Sequence, residues 1–291
     1  MQAADEMDPE RLTTQDYWAT LYAKAARTDR RSVWMARLKH GVPAPIRRLR
    51  KRLMQRHWSR QLVEGLLRPH LEGRMGLKAL EVGSAPGYRS LALWRRFGVE
   101  PHGLEYTEEG VRAQRALYRA NGLSEDLVVR GDFFDDAWRA QWAGAFDLVA
   151  SYGFIEHFDR PEDVAAKHLE LLRSGGLLVV TVPHLNESTV YGRLVRRFNP
   201  AVYAMHNVRT CTREPFRKIF EGLACDVIHC GPLGGCDVEF DPDRRWTSRA
   251  VARFFRMVNP AINVANHLVV GMRRKEFPRT SSVLALVAVK R

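Results

Sequence analysis

The chain has 291 residues, 45% of them hydrophobic, which suits one large domain or a domain with an added cap and is ample for a full core. Its formal net charge of +13 is concentrated. Between Lys24 and Arg60 stand 13 Lys or Arg against the single acid Asp29, so this segment alone carries +12 and the rest is close to neutral. Such a patch points to something anionic, whether nucleic acid, phospholipid headgroups or an acidic substrate, or else to a solvated arginine-rich face. The opening MQAADEMDPE is acidic and has no apolar run, which argues against a signal peptide, and Ile262 to Met272 is too short and polar to span a bilayer. Cys211, Cys225, Cys230 and Cys236 form no CxxC pair and read as free thiols of a reducing cytoplasm rather than a zinc site.

The first 74 residues read as a helical arm or lid, strongly basic at 24–60. Thr14 to Ala26 has Tyr17, Trp18, Leu21 and Tyr22 at helical spacing. Pro45 opens a second run, and Ser59 is placed to cap a third helix over Leu62 to Leu67. From residue 75 the rhythm changes to alternating strands and helices. Strands are expected at Leu77–Val82, Val99–Glu105, Leu127–Arg130, Phe146–Ser151 and Gly176–Val182, and helices at Arg89–Phe97, Glu108–Ala120 and Pro161–Leu172. This alternation gives a doubly wound α/β fold with a mostly parallel sheet. Thr212 is placed to cap a further helix. Cys225–Cys230 and Val283–Val289 read as two late strands, so the core comprises 75–231 and 281–291. Residues 232–280 read as a helical cap inserted between those strands, with a helix from Ser248 stopped by Asn259-Pro260 and a second from Ala261 to Met272.

The loop after the first strand, Glu81-Val82-Gly83-Ser84-Ala85-Pro86-Gly87, has the strand-before, helix-after setting of a nucleotide loop. Gly83 and Gly87 let the backbone come close to a ligand, and the following helix offers free N–H groups to a carboxylate. Glu105 ends the second strand, where a carboxylate can accept from both hydroxyls of a ribose. Asp132, in Gly131-Asp132-Phe133, ends the third, where an acid can take an adenine amino group. A dehydrogenase would prefer GxGxxG, and it would leave the Gly-Asp and Glu-His signatures unexplained.

In this order, EVGSAPG, GLEY, GDFF, FDLVASYGFIEHF and LLRSGGLLVVTVP resemble the class I S-adenosylmethionine-dependent methyltransferases over roughly residues 75 to 185, and SSVLALVAVKR resembles that fold's last strand. The resemblance, including to small-molecule and quinone-pathway members, implies a seven-stranded Rossmann-like sheet with an antiparallel last strand. It implies S-adenosyl-L-methionine as cofactor, in contact with Glu81, Gly83, Ser84, Ala85, Gly87, Glu105, Tyr106, Asp132, Phe133 and Tyr152.

Methyl transfer from a sulfonium is an in-line displacement, so the protein supplies position, desolvation and in some enzymes a base. Glu156 and His157 follow the fourth strand, His184 follows the fifth and His206 precedes Thr212. These four are the candidate catalytic residues, with His157 either a base or a wall of the pocket. A Glu-His pair with a distant His also resembles small-RNA and quinone-pathway methyltransferases that hold a metal. They carry Glu-x-x-Glu-His, and Gly153 stands where the first Glu belongs, so no metal is expected. Ser151-Tyr152-Gly153-Phe154 is not the Pro-Pro-aromatic run of enzymes acting on exocyclic amines of nucleic acids, and the Lys-Asp-Lys-Glu set of ribose methyltransferases is absent. The expected acceptor is therefore an O or N nucleophile of a small-molecule, lipid-linked or glycan compound, with nucleic acid disfavoured. The expected location is the cytoplasm, with or without peripheral contact at a membrane. RNA modification through the basic arm and a cofactor-binding scaffold without turnover are the alternatives.

Overall fold

In the computed structural model, residues 11–23, 56–236, 238, 246–270 and 276–291 are described. The short apolar runs become strands β1 (Lys78–Val82), β2 (Glu100–Glu105), β3 (Val128–Arg130), β4 (Phe146–Tyr152), β5 (Leu172–Pro183), β6 (Cys225–Leu233) and β7 (Val283–Lys290). They form one seven-stranded sheet in the order β3-β2-β1-β4-β5-β7-β6. β1 to β5 pair in parallel, and β7 runs antiparallel to both of its neighbours. The strand order reverses between β1 and β4, which opens a crevice at their C-terminal ends.

Both faces of the sheet are covered, and the period of two sorts the side chains between them. Leu80, Val82, Leu178 and Val180 face one core with Ile155, Val164, Phe216 and Phe220. Ala79, Leu148, Leu177 and Val179 face the other with Leu62, Leu66, Leu67 and Leu93. The helix Tyr88–Phe97 starts at Gly87 and ends on Gly98, at a left-handed φ of 72°. The helix Glu108–Arg119 is capped by the Thr107 hydroxyl, which accepts from the Gly110 N–H at 3.1 Å.

Several helix expectations are corrected. Ser59 caps nothing, because it lies inside a helical run that starts at His57, passes through a π segment at Gln61–Leu67 and ends at Leu71. Asn259-Pro260 stops no helix. The helix Trp246–Ala265 runs through Pro260 and continues as a π segment, Asn266–Val270. Proline removes one ladder hydrogen bond, and here Asn259 bonds outside the helix, its Nδ2 donating to the Val238 carbonyl at 2.7 Å. Thr212 precedes the helix Arg213–Lys218 without a side-chain cap, since its hydroxyl donates backward to the Val208 carbonyl at 3.4 Å. The helical run expected from Pro45, like most of the basic 24–60 stretch, lies outside the described residues.

Candidate active site

The crevice holds a cavity of about 260 Å³, with Gly83, Ala85, Glu105, Tyr106, Asp132 and Phe133 along one half and Tyr152, Gly153, Phe154 and His157 along the other. The loop after β1 is pinned to β2, with the Gly83 and Ser84 N–H groups both donating to the Leu104 carbonyl at 3.0 and 3.2 Å. Gly87 has a φ of 89°, and a Cβ there would stand 2.7 Å from Cγ of Gln114. Ser84 and Gly87 lie behind the cavity wall, where the buried Ser84 hydroxyl donates to Gln114 at 2.5 Å. Glu81 also faces away. Its carboxylate accepts from the Ser90 N–H at 3.0 Å and from the Ser90 hydroxyl, which ties β1 to the helix after the loop.

Glu105 is buried at the end of β2, and its Oε1 accepts from the Thr107 N–H at 2.8 Å and the Thr107 hydroxyl at 2.7 Å. Burial raises its pKa, while these bonds pull it back toward the carboxylate. The result is an anchored carboxylate facing the cavity, the donor-accepting group a ribose requires. Asp132 lies at the expected place after β3, with a partner the sequence did not announce. Arg11 donates two hydrogen bonds to its carboxylate, at 2.8 and 2.6 Å, and the guanidinium lies against the rings of Tyr106 and Phe134 at 5.4 and 5.2 Å. Gly83, the held Glu105 and Asp132 line the cavity and fit S-adenosylmethionine laid across the ends of β1 to β3, whereas Ser84, Gly87 and Glu81 shape the loop from behind.

The N-terminal segment roofs the cavity. Leu12 donates its N–H to the His157 carbonyl at 2.8 Å, and the helix 15–23 brings Trp18, Leu21 and Tyr22 to the lining. Trp18 meets the His157 ring edge-on at 5.2 Å. On the floor, Arg89 lies over Tyr152 at 4.6 Å. Arg11, Trp18, Tyr22 and Arg89 were not among the expected site residues. The stripe Tyr17-Trp18-Leu21-Tyr22 signalled a buried helix face, but nothing local to it says what that face covers.

Glu156 and His157 sit in a 3-10 turn, Ile155–His157, that follows Gly153 at a φ of 70°. The loop after the helix Pro200–Ala204 straps onto this turn, with Asn207 donating its N–H to the Glu156 carbonyl at 2.6 Å. His157 donates from Nδ1 to the Met205 carbonyl at 3.0 Å, and His206 donates from Nδ1 to the Val202 carbonyl at 2.6 Å. Each ring therefore keeps Nε2 as its lone-pair nitrogen. One donor atom each from Glu156, His157 and His206 lie within 4.8 Å of one another. Burial raises the Glu156 carboxyl to about 8 and lowers His157 to about 3, with the charge of His206 also lowering His157. Glu156 Oε2 has no hydrogen-bond partner. Two imidazoles oriented by backbone carbonyls beside a buried, half-satisfied carboxylate fit a divalent cation, despite Gly153 at the expected first ligand.

His184 is not brought to this group. Antiparallel β7 pairs with β5 as far as Pro183↔Val283, and His184 donates its N–H to the Ser282 carbonyl at 2.8 Å, outside the cavity lining. Burial lowers its pKa to about 4.

Comparison with known proteins agrees with this geometry. The methyltransferase domain family matches residues 40–229. The ubiquinone biosynthesis O-methyltransferase of Psychrobacter arcticus is 29% identical over 114 residues, which are 39% of this chain and 44% of that protein, so the match spans less than half of the relative's length. Among solved structures, a chain of the complex between the Haloferax volcanii Trm112 methyltransferase activator and a methyltransferase superposes with a TM-score of 0.52. It shows 19% identity over 83% of this chain and 93% of that one. The geranyl diphosphate C-methyltransferase of Streptomyces coelicolor gives a TM-score of 0.51 at 16% identity over 78% of each chain. These two likenesses concern the fold. With the family match covering most of the chain, the protein belongs to the class I S-adenosylmethionine-dependent methyltransferases.

Proposed function

We propose that this protein transfers the methyl group of S-adenosylmethionine to an oxygen or nitrogen of a small-molecule, lipid-linked or glycan acceptor. The observation that carries the reading is His157, which lines the cavity opposite Glu105 with its Nδ1 proton committed to Met205. Its Nε2 is then a fixed acceptor on a ring that burial keeps neutral at pH 7 and makes a weak base, so its part is to orient the nucleophile's hydrogen and take the proton only as the new bond to the methyl forms. As the methyl arrives from one side, the nucleophile's proton can leave toward Nε2 on the other. The roof of Trp18, Leu21 and Tyr22 excludes water from the displacement. Oxygen is favoured over nitrogen by the name of the Psychrobacter relative.

His157→Ala is expected to cut turnover by about 10²-fold with cofactor affinity little changed. A loss under about tenfold would make His157 a wall residue. Labelled-methyl transfer into fractionated cell extract identifies the acceptor, and label appearing in the RNA fraction would overturn the acceptor class.

A second reading is favoured by the convergence of Glu156, His157 and His206. A divalent cation held there would act as a Lewis acid that orients and acidifies an acceptor hydroxyl. Calorimetric titration with Mg²⁺, Mn²⁺ and Zn²⁺ separates the two readings. Binding of one ion, lost in Glu156→Ala and His206→Ala, supports the metal reading, and absence of binding leaves His157 as the base.

A further inference from the structure

The helix Trp246–Ala265, with its continuation Asn266–Val270, carries large apolar side chains on its outer side as well as toward the protein, where Val251, Phe255, Val258 and Ile262 are half-buried. Its fully buried positions are small or polar. Ser248 and Ala252 are buried, and three asparagines tie the helix to the body of the protein. Asn259 bonds Val238, Asn263 accepts from the His57 N–H at 2.9 Å, and Asn266 exchanges hydrogen bonds with the Cys236 backbone at 2.9 and 3.2 Å. The outward side carries Trp246, Phe254, Met257 and Leu268, which are 75%, 59%, 80% and 75% exposed. Among the described residues these are four of the seven exposed large hydrophobics, so the exposure is concentrated here rather than scattered. Trp246 and Met257 are spaced eleven residues apart, close to three turns of the α-helix, so they fall on one stripe, and Leu268 stands exposed in the π segment that continues it.

Charge selects what covers this stripe. Arg249, Arg253 and Arg256 are exposed along one edge of it, and no acid occurs between Trp246 and Val270. The inner side of the helix is held by His57 and by Arg60, which bonds His267 at 3.2 Å, and both belong to the Lys24–Arg60 stretch with its 13 basic residues and one acid. Because this edge carries one sign of charge only, the surface that meets it is anionic throughout, as a layer of acidic phospholipid headgroups is. A band of Trp, Phe, Met and Leu rimmed only by arginines matches an acyl boundary below phosphate headgroups, with the arginine stems lying along the apolar layer. No described helix is long and apolar enough to cross a membrane, so the contact would lie in the surface plane.

We propose that this outer face docks on an anionic phospholipid bilayer, seated by Trp246, Phe254, Met257 and Leu268 and held by Arg249, Arg253 and Arg256. The contact is independent of which acceptor takes the methyl group, and the proposed activity stands or falls separately from it.

The test is co-sedimentation of the full chain with phosphatidylcholine vesicles, with and without phosphatidylglycerol. Wild type should pellet with the anionic vesicles at low salt and be released as salt rises. The triple variant Phe254→Ser, Met257→Ser, Leu268→Ser should partition at least about tenfold more weakly, since the buried apolar area is gone. Arg249→Gln, Arg253→Gln, Arg256→Gln should lose the preference for phosphatidylglycerol. Unchanged S-adenosylmethionine affinity in both variants shows that they are folded. Failure of wild type to pellet with anionic vesicles at low salt would overturn the proposal. So would binding within about twofold of wild type in the apolar-face variant, because electrostatic attraction alone would then explain it. A wild-type dimer that this variant turns into a monomer, with no vesicle binding, would assign the face to a second copy instead.

Discussion

The two halves of the crevice are assembled by different means. On the cofactor half, Glu105 and the loop after β1 are positioned by near neighbours, and Asp132 alone has a distant partner in Arg11. Glu105 is held by Thr107, two residues on, and the loop after β1 is pinned to the adjacent strand end at Leu104. On the acceptor half, the groups come from far apart. His157 is oriented by Met205, Glu156 is strapped by Asn207, and the roof comes from residues 11–23. A locally built site keeps its geometry under small changes elsewhere, whereas a site built from distant segments depends on their docking. On the proposed reading, cofactor binding falls on the locally built half and acceptor contact on the half assembled from distant segments.

The largest effect expected away from the chemistry is at the seam between the halves. His168 is fully buried, 4.7 Å from the Phe133 ring on one side and 5.9 Å from Phe154 on the other. Burial lowers its pKa to about 4. The unfolded chain therefore takes up this proton first as pH falls. The stabilisation is complete above the unfolded value near 6.5 and drains away as pH falls toward 4, by about 3 kcal/mol. Urea unfolding of wild type and His168→Gln across that window should give curves that converge at low pH, and parallel curves would show that His168 does not report the seam.

Next in size is a change confined to the cofactor half. Gly110→Ala would gain about 1 kcal/mol from helix propensity alone. Yet its Cβ would stand 2.8 Å from Cβ of Ala85, 2.8 Å from Cδ of Glu105 and 2.7 Å from Oγ1 of Thr107. Crowding of this kind costs about 1–3 kcal/mol, so a net loss of thermal stability and a loss of S-adenosylmethionine affinity are expected together. A stabilised variant with intact affinity would mean that the local frame yields more easily than its packing implies.

The smallest effect is at the latch between roof and floor. Arg11 and Asp132 form a bidentate pair, but the Asp132 side chain is 47% exposed. Arg11→Gln should therefore cost at most about 1 kcal/mol of stability. Its distinctive result is kinetic, because the segment 11–23 would open more often and stopped-flow cofactor dissociation should speed up severalfold. An unchanged dissociation rate would make the roof passive.

The same contrast decides what the sequence made legible. Each strand was readable because its apolar run is local, and the glycine-rich loop, Glu105 and Asp132 were readable because each acid ends a strand. Arg11 was not readable as the partner of Asp132, because 121 residues separate them. His184 and His157 looked equivalent, each just past a strand end. Only the antiparallel pairing of β7 removes His184 from the crevice, and that pairing is set by residues a hundred positions away. Glu156 and His157 were visible as a pair, whereas the return of His206 to them depends on the loop after Pro200–Ala204. Pro260 by its usual habit would end the helix, and the three asparagines that hold the helix on both sides of it carry no sequence signal of their own.

The central claim is that S-adenosylmethionine lies across the ends of β1 to β3 with its ribose on Glu105, and calorimetry tests it most directly. Titration of the cofactor into wild type and Glu105→Ala, with circular dichroism confirming both folds, should show affinity reduced by 1–3 kcal/mol, or about 5- to 150-fold, as for the loss of charge-assisted hydrogen bonds. Equal affinity in a folded Glu105→Ala protein would contradict the placement of the cofactor.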